Sequence, residues 1–210
     1  MNIAKMLLKI GAVTLKMDPP YRWVSGIFSP IYCDNRLLIS YPEERRMVVD
    51  GFAEMIKREG IKFDVVAGIA SSGIPHAAWL AERLSKPMIY IRKKNKGYGR
   101  GKMIEGKLEK GSFVLIVEDL VSTAGSLVNG IETVREAGGK VENCIAIFTY
   151  EMEKAKRNME EVGCNLLALS NFSSLLKIAK AENYLGGEYY ERALEWSRDP
   201  EGWGERMGFE

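Results

Sequence analysis

Apolar positions along the chain follow two rhythms. The stretch MNIAKMLLKIGAVTLKM spaces its apolar residues around Lys5, Lys9 and Lys16 and predicts an amphipathic N-terminal helix. PEERRMVVDGFAEMIKREG (42–60) predicts a second helix, with Pro42 in the first turn, acids behind it and Gly60 as the stop. From there, short continuous apolar runs alternate with helical stretches. FDVVAGIA (63–70), PMIYIRK (87–93), SFVLIVE (112–118), KVENCIAIFTY (140–150) and CNLLALS (164–170) predict strands. GIPHAAWLAERL (73–84), GSLVNGIETVREAG (125–138), EMEKAKRNMEEVG (151–163) and SSLLKIAKAENYL (173–185) predict helices. Strands apolar on both faces and separated by helices imply an α/β fold, a mostly parallel central sheet with helices on both faces and right-handed connections. The segment DPPYRWVSGIFSPIYCDNR carries Tyr21, Trp23, Phe28 and Tyr32, too many rings for a disordered linker, and predicts an ordered hood. The polar, glycine-rich SRDPEGWGERMGFE at the C-terminus predicts a frayed end. One domain over 1–210 results, with a hood over about 1–40 and a flexible basic lid over 93–106.

Composition narrows the function. A net charge of +2 gives no general case for nucleic-acid or membrane binding, and no apolar run has the length of a membrane span. The N-terminus lacks the unbroken apolar stretch of a signal peptide. Cys33, Cys144 and Cys164 are odd in number and lack CxxC spacing, which predicts buried free thiols and a cytoplasmic protein. The one histidine, His76, falls on an apolar helix face and is expected to pack rather than react.

In an open parallel sheet, ligands bind beyond the C-terminal strand ends, and the strand-end sequences here are unusual. VVAGIASSGIPHAAW runs a strand into Ser71, Ser72 and Gly73, small residues that expose backbone amides beside a helix N-terminus and suit an anion. IRKKNKGYGRGKMIEG places Arg92, Lys93, Lys94, Lys96, Arg100 and Lys102 among glycines, with no acid over residues 92–102. Such a loop is either solvated or a lid for a polyanion; its glycine spacing fits neither a Walker loop nor a dinucleotide fingerprint. In FVLIVEDLVSTAGS an apolar strand meets Glu118 and Asp119, then Ser122, Thr123, Ala124, Gly125 and Ser126. The amides of 122–126 suit a phosphate, whereas the carboxylates repel one and accept hydrogen bonds from sugar hydroxyls. The three stretches together suit one ligand, phosphoribosyl pyrophosphate. Its 5-phosphate lies on 122–126, its ribose on 118–119, and its pyrophosphate on 70–73 and the basic lid, with Mg²⁺ carried by the ligand.

On these residues the chain resembles the type I phosphoribosyltransferases, and within them the orotate phosphoribosyltransferases over nearly its full length. The resemblance is carried by SGIFSPIYCDNRLLISYP, VAGIASSGIPHAAWLA, YIRKKNKGYGRGKMIEGKLEKG, VLIVEDLVSTAGS and IAIFTYEMEKAK. It implies transfer of the phosphoribosyl group to orotate, giving orotidine 5′-phosphate and pyrophosphate in pyrimidine synthesis, with Mg²⁺ as cofactor and no metal held by the protein alone. It implies catalytic roles for Lys96, Arg92 and Asp119, with Lys93 and Tyr98 joining Arg92 and Lys96 at the pyrophosphate. It also implies that residues 120–126, Leu120 and Val121 included, bind the 5-phosphate, with orotate contacts from Ser122, Ser25, Gly26 and Tyr32, and a homodimer in which the basic loop reaches the neighbouring site. The chain departs from the usual pattern at Phe28 and Val24, where lysines are common, and at Tyr98, where histidine is common. Glu151 stands near where some members place an arginine. Phe28 and Val24 bear on the choice of base, so a phosphoribosyltransferase for another nucleobase is one alternative. A regulatory protein that only binds phosphoribosyl pyrophosphate is another.

Overall fold

The computed structural model describes residues 2–93 and 103–209. Helix α1 (Ile3–Lys9) is capped by the Asn2 side chain, which accepts from the Lys5 amide at 3.0 Å. It stops well short of the predicted Met17. Gly11 takes a left-handed φ of +70°, and β-branched Val13 and Thr14 then enter strand β1 (Val13–Leu15). Strands β2 (Tyr21–Arg22) and β3 (Phe28–Ser29) form a hairpin, and β1 pairs antiparallel with β4 (Ile31–Cys33). These two small sheets are the hood. A 3₁₀ turn over Asn35–Ser40 leads into α2 (Pro42–Arg58).

The main sheet follows: β5 (Val65–Ile69), α3 (Gly73–Leu84), β6 (Met88–Ile91), β7 (Ile104–Glu105), β8 (Val114–Val121), α4 (Gly125–Glu136), β9 (Asn143–Thr149), α5 (Glu153–Glu161) and β10 (Asn165–Asn171). Among the described residues it has six strands in the order β10-β9-β8-β5-β6-β7, all parallel except β7. The sheet thus has the predicted α/β architecture. Alternation along β8 feeds two cores: Leu115 and Val117 pack with α1, α2, α3 and the hood, while Val114 and Ile116 pack with α4 and α5.

The structure corrects the sequence reading in several places. Strand β8 does not end at Glu118 but runs through Asp119 and Leu120 to Val121, because Leu120 and Val121 pair with Phe148 and Thr149 of β9. Ile104 and Glu105, assigned to the lid, form β7 against Tyr90 and Ile91; lid residues 94–102, with Lys96 and Tyr98, lie outside the described residues. The C-terminus is ordered rather than frayed. After α6 (Phe172–Ala181) come α7 (Gly187–Arg198), which the sequence reading lacks, and a helical turn α8 (Trp203–Arg206). Trp196 and Trp203 are fully buried, and Phe209 meets Phe28 of the hood at 5.7 Å between ring centroids. The hood is therefore completed from the C-terminus, while α1 belongs to the main core and is tied to α6 by a 2.7 Å Lys5–Glu182 ion pair.

Candidate active site

A cavity of about 520 Å³ opens between the C-terminal ends of β5 and β8 and the hood. Its floor comes from the β5–α3 turn. Gly73 begins α3 so close to β8 that an added Cβ would lie 2.5 Å from the Val117 carbonyl oxygen, which only glycine allows. Ser71 and Ser72 line the cavity on the β8 side of this turn, and the Ala70–Ser71 peptide is cis.

Glu118, Asp119 and Leu120 form the next wall. Glu118 is buried and its Oε1 accepts from the Asp119 amide at 3.0 Å. Burial, reinforced by the neighbouring Asp119 carboxyl, pushes Glu118 well above the usual carboxylate range. Burial raises Asp119 as well, against hydrogen bonds that act to lower it. Side by side, the buried Glu118 and half-buried Asp119 carboxyls share a proton more readily than they carry two charges. A pair of that kind suits sugar hydroxyls, which can both donate and accept.

The turn into α4 brings hydroxyl side chains and the start of a helix to the cavity. Ala124 takes the left-handed conformation at φ +63°, a strain on the order of 1 kcal/mol. It turns the chain directly into α4 at Gly125. Ser122 and Ser126 line the cavity; Thr123, Ala124 and Gly125 form the turn behind them, and Val121 is packed in the core below. Asn158 of α5 donates to the Thr123 carbonyl at 2.8 Å and braces the turn.

The basic residues divide. Lys93 lines the main cavity, and its charge favours the ionised form of Glu118. Arg92 does not line it; it bonds Glu105 at 2.8 Å and faces a neighbouring cavity of about 470 Å³ that shares Lys93 and Ser126. On the hood side Tyr32 lines the cavity, but Ser25 and Gly26 sit at the outer hairpin tip, where the Gly26 amide bonds the Trp23 carbonyl. Trp23 and Val24 line the mouth in their place, with Tyr150 behind.

Several residues at this site carry no strong sequence signal. Asn35 is fully buried and donates to the Asp119 carbonyl at 2.7 Å, while Cys33 Sγ donates to Asn35 Oδ1 at 3.4 Å. Arg36 is gripped by Asp34. Tyr150 packs against Trp23 and Trp196, with centroids 4.8 and 5.8 Å away, and burial raises its hydroxyl pKa. A polar run after an apolar strand, CDNR, is the one hint available in advance. Glu151 is not in the cavity; its Oε2 accepts from the Ser173 amide at 2.7 Å and caps α6.

Residues 42–172 match the model of the phosphoribosyl transferase domain family. The chain is 50% identical to an orotate phosphoribosyltransferase of Coxiella burnetii, over 96% of this chain and 97% of that one. Among solved structures it is similar to orotate phosphoribosyltransferase from Aeropyrum pernix, with TM-score 0.76 and 29% identity over 88% of this chain and 99% of that one. It is also similar to Leishmania donovani UMP synthase, with TM-score 0.80 and 28% identity, over 93% of this chain and 41% of that longer one.

Proposed function

The chain belongs to the orotate phosphoribosyltransferases of the phosphoribosyl transferase domain family, and from that premise we propose how its cavity carries out the transfer from phosphoribosyl pyrophosphate to orotate. The observation that carries the assignment of roles is that one cavity brings together the acidic pair, the hydroxyl-rich turn and the small-residue turn. The amides and hydroxyls of 122–126 hold the 5-phosphate at the start of α4. Glu118 and Asp119 hold the ribose hydroxyls. Ser71, Ser72 and Lys93 receive the pyrophosphate, joined by Lys96 and Tyr98, and by Arg92 from the adjoining cavity that shares Lys93 and Ser126. The bond from ribose C1 to pyrophosphate breaks as orotate N1 bonds to C1, through an oxocarbenium-like state, and the N1 proton is released to the departing pyrophosphate or to solvent. The side chains act by fixing both partners in line and by neutralising charge on the leaving group.

Mg²⁺ would be carried by the phosphoribosyl pyrophosphate. The carboxyl and hydroxyl oxygens of the cavity suit a hard cation held chiefly by phosphate oxygens. When bound, the ion offsets charge on the departing pyrophosphate. Trp23, Val24, Tyr32 and Tyr150 form the apolar side that accepts the base. We further propose a homodimer, supported by the exposed Leu37, Ile39 and Tyr41 beside the site. No helix among the described residues is long and apolar enough to cross a membrane. The free buried thiols suit the cytoplasm.

Loss of orotate absorbance with phosphoribosyl pyrophosphate and Mg²⁺, repeated with each other nucleobase, tests the reading. Turnover is expected with orotate alone. Pyrophosphate release with a different base would reassign the acceptor, and binding without turnover would identify a regulator.

A further inference from the structure

We propose that Arg36 is the specificity-determining residue that recognises the carboxylate of orotate. The inference rests on the orotate reading above and assigns it a residue.

Orotate carries its carboxylate on the ring carbon next to N1, the atom that bonds ribose C1. The carboxylate must therefore sit beside the ribose, close to Glu118 and Asp119. Asp34 lines the same part of the cavity. An incoming anion is repelled there unless a cation faces it. Among the described residues the cations lining the cavity are Arg22, Arg36 and Lys93. Lys93 follows β6 on the pyrophosphate side. Arg22 stacks on the Phe28 ring at 5.2 Å, towards the C-terminal cap. Arg36 remains, and its charge acts on both Asp119 and Tyr32.

The way Arg36 is held fits this role. Asp34 grips the guanidinium side-on, with Nε to Oδ1 at 2.5 Å and one terminal nitrogen to Oδ2 at 2.8 Å. That uses two of the five N–H groups. The terminal edge, with a proton on each nitrogen, has no other hydrogen-bond partner among the described residues and matches a second carboxylate. The backbone beneath is fixed by Asn35, buried and bonded to the Asp119 carbonyl at 2.7 Å. Arg36 is thus oriented by one neighbour and located by the other, one residue from a direct link to the ribose-binding strand. Its side chain keeps 61% of its exposure, so the free edge is open to a ligand.

The test compares orotidine 5′-phosphate with uridine 5′-monophosphate, which differ by that carboxylate alone. Both are titrated by calorimetry into the wild type, Arg36→Gln, Arg36→Lys and Arg22→Gln. The wild type should prefer orotidine 5′-phosphate. Arg36→Gln should lose at least tenfold of that affinity and leave uridine 5′-monophosphate within twofold. Arg36→Lys should recover part of the preference, and Arg22→Gln should keep it. An unchanged preference in Arg36→Gln overturns the proposal. So does an equal loss for both nucleotides, which would mean that Arg36 only supports the hood, or a collapse of preference in Arg22→Gln instead. If Arg36→Gln does not fold, Arg36→Lys decides: a full wild-type preference there overturns the requirement for the planar fork. Failure of the orotate reading itself is seen separately, as absent orotate turnover by the wild type.

Discussion

His76 lies fully buried on the first turn of α3, its ring edge-on to Trp79 at 5.4 Å between centroids. Neither ring nitrogen has a hydrogen-bond partner among the described residues. Burial lowers its pKa from 6.5 to about 4. A group depressed in this way contributes stability that is fully present above the unfolded pKa of 6.5 and is lost as pH falls through 4, because the unfolded chain takes up the proton first. The span corresponds to on the order of 3 kcal/mol. His76→Leu should therefore flatten the fall in thermal midpoint between pH 6.5 and 4 relative to wild type, and parallel curves would contradict the burial argument. Asp34 and Asp199, each lowered chiefly by an arginine hydrogen bond, give losses in the same direction in both proteins and cancel in the comparison. That His76 packs was legible from its place on an apolar helix face. The role of Asn35 was not, since an asparagine after a strand reads as an ordinary turn residue, and its partner lies 84 positions away.

Strand β8 shows why an element can be recognised and still mismeasured. Its apolar run stops at Val117, and an acidic pair reads as the strand's end. In the fold β5 makes its last pair with β8 at Gly68 and Val117, but β9 continues to pair as far as Val121. Past Val117 the side of β8 that faced β5 is left open, and the Asn35 amide closes it at the Asp119 carbonyl. Asn35→Ala should cost about 1–3 kcal/mol, the penalty of an unpaired buried carbonyl. It should also weaken phosphoribosyl pyrophosphate binding about tenfold, as the acidic pair loses its register; chemical denaturation and calorimetry measure the two effects. Loss of stability with unchanged affinity would confine Asn35 to packing. The helices following β5 and β8 were legible to the residue at their starts, because Gly73 and Gly125 open apolar-periodic runs. Helix α1 was overextended, because periodicity does not register the backbone reversal at Gly11.

Across the whole molecule, the parallel sheet and its ligand edge follow from local pattern, whereas the hood depends on contacts between the two ends of the chain. The glycines and the proline of SRDPEGWGERMGFE have the composition of a loose tail, yet Trp203 and Phe209 pack at 5.6 Å and Phe209 covers Phe28. Trp196 goes further. Its Nε1 donates to the Phe28 carbonyl at 2.9 Å, and its ring meets Trp23 at 5.7 Å, so a residue 168 positions downstream holds the β2–β3 hairpin. No hydrophobic periodicity encodes such a pairing. The consequence belongs to function as much as to stability, because Trp23 and Tyr150, both against Trp196, line the side of the cavity proposed for the base, while the turn proposed for the phosphate and the acidic pair stand on β8 and α4. Trp196→Phe keeps a ring in the core but removes the donor. It should cost about 1–2 kcal/mol and raise the KM for orotate several-fold, with the KM for phosphoribosyl pyrophosphate within twofold of wild type. Steady-state kinetics with each substrate varied in turn measures the split. An equal rise in both would mean that the C-terminal cap steadies the whole domain rather than the hood, since only the hood's attachment separates the base from the ribose and phosphates.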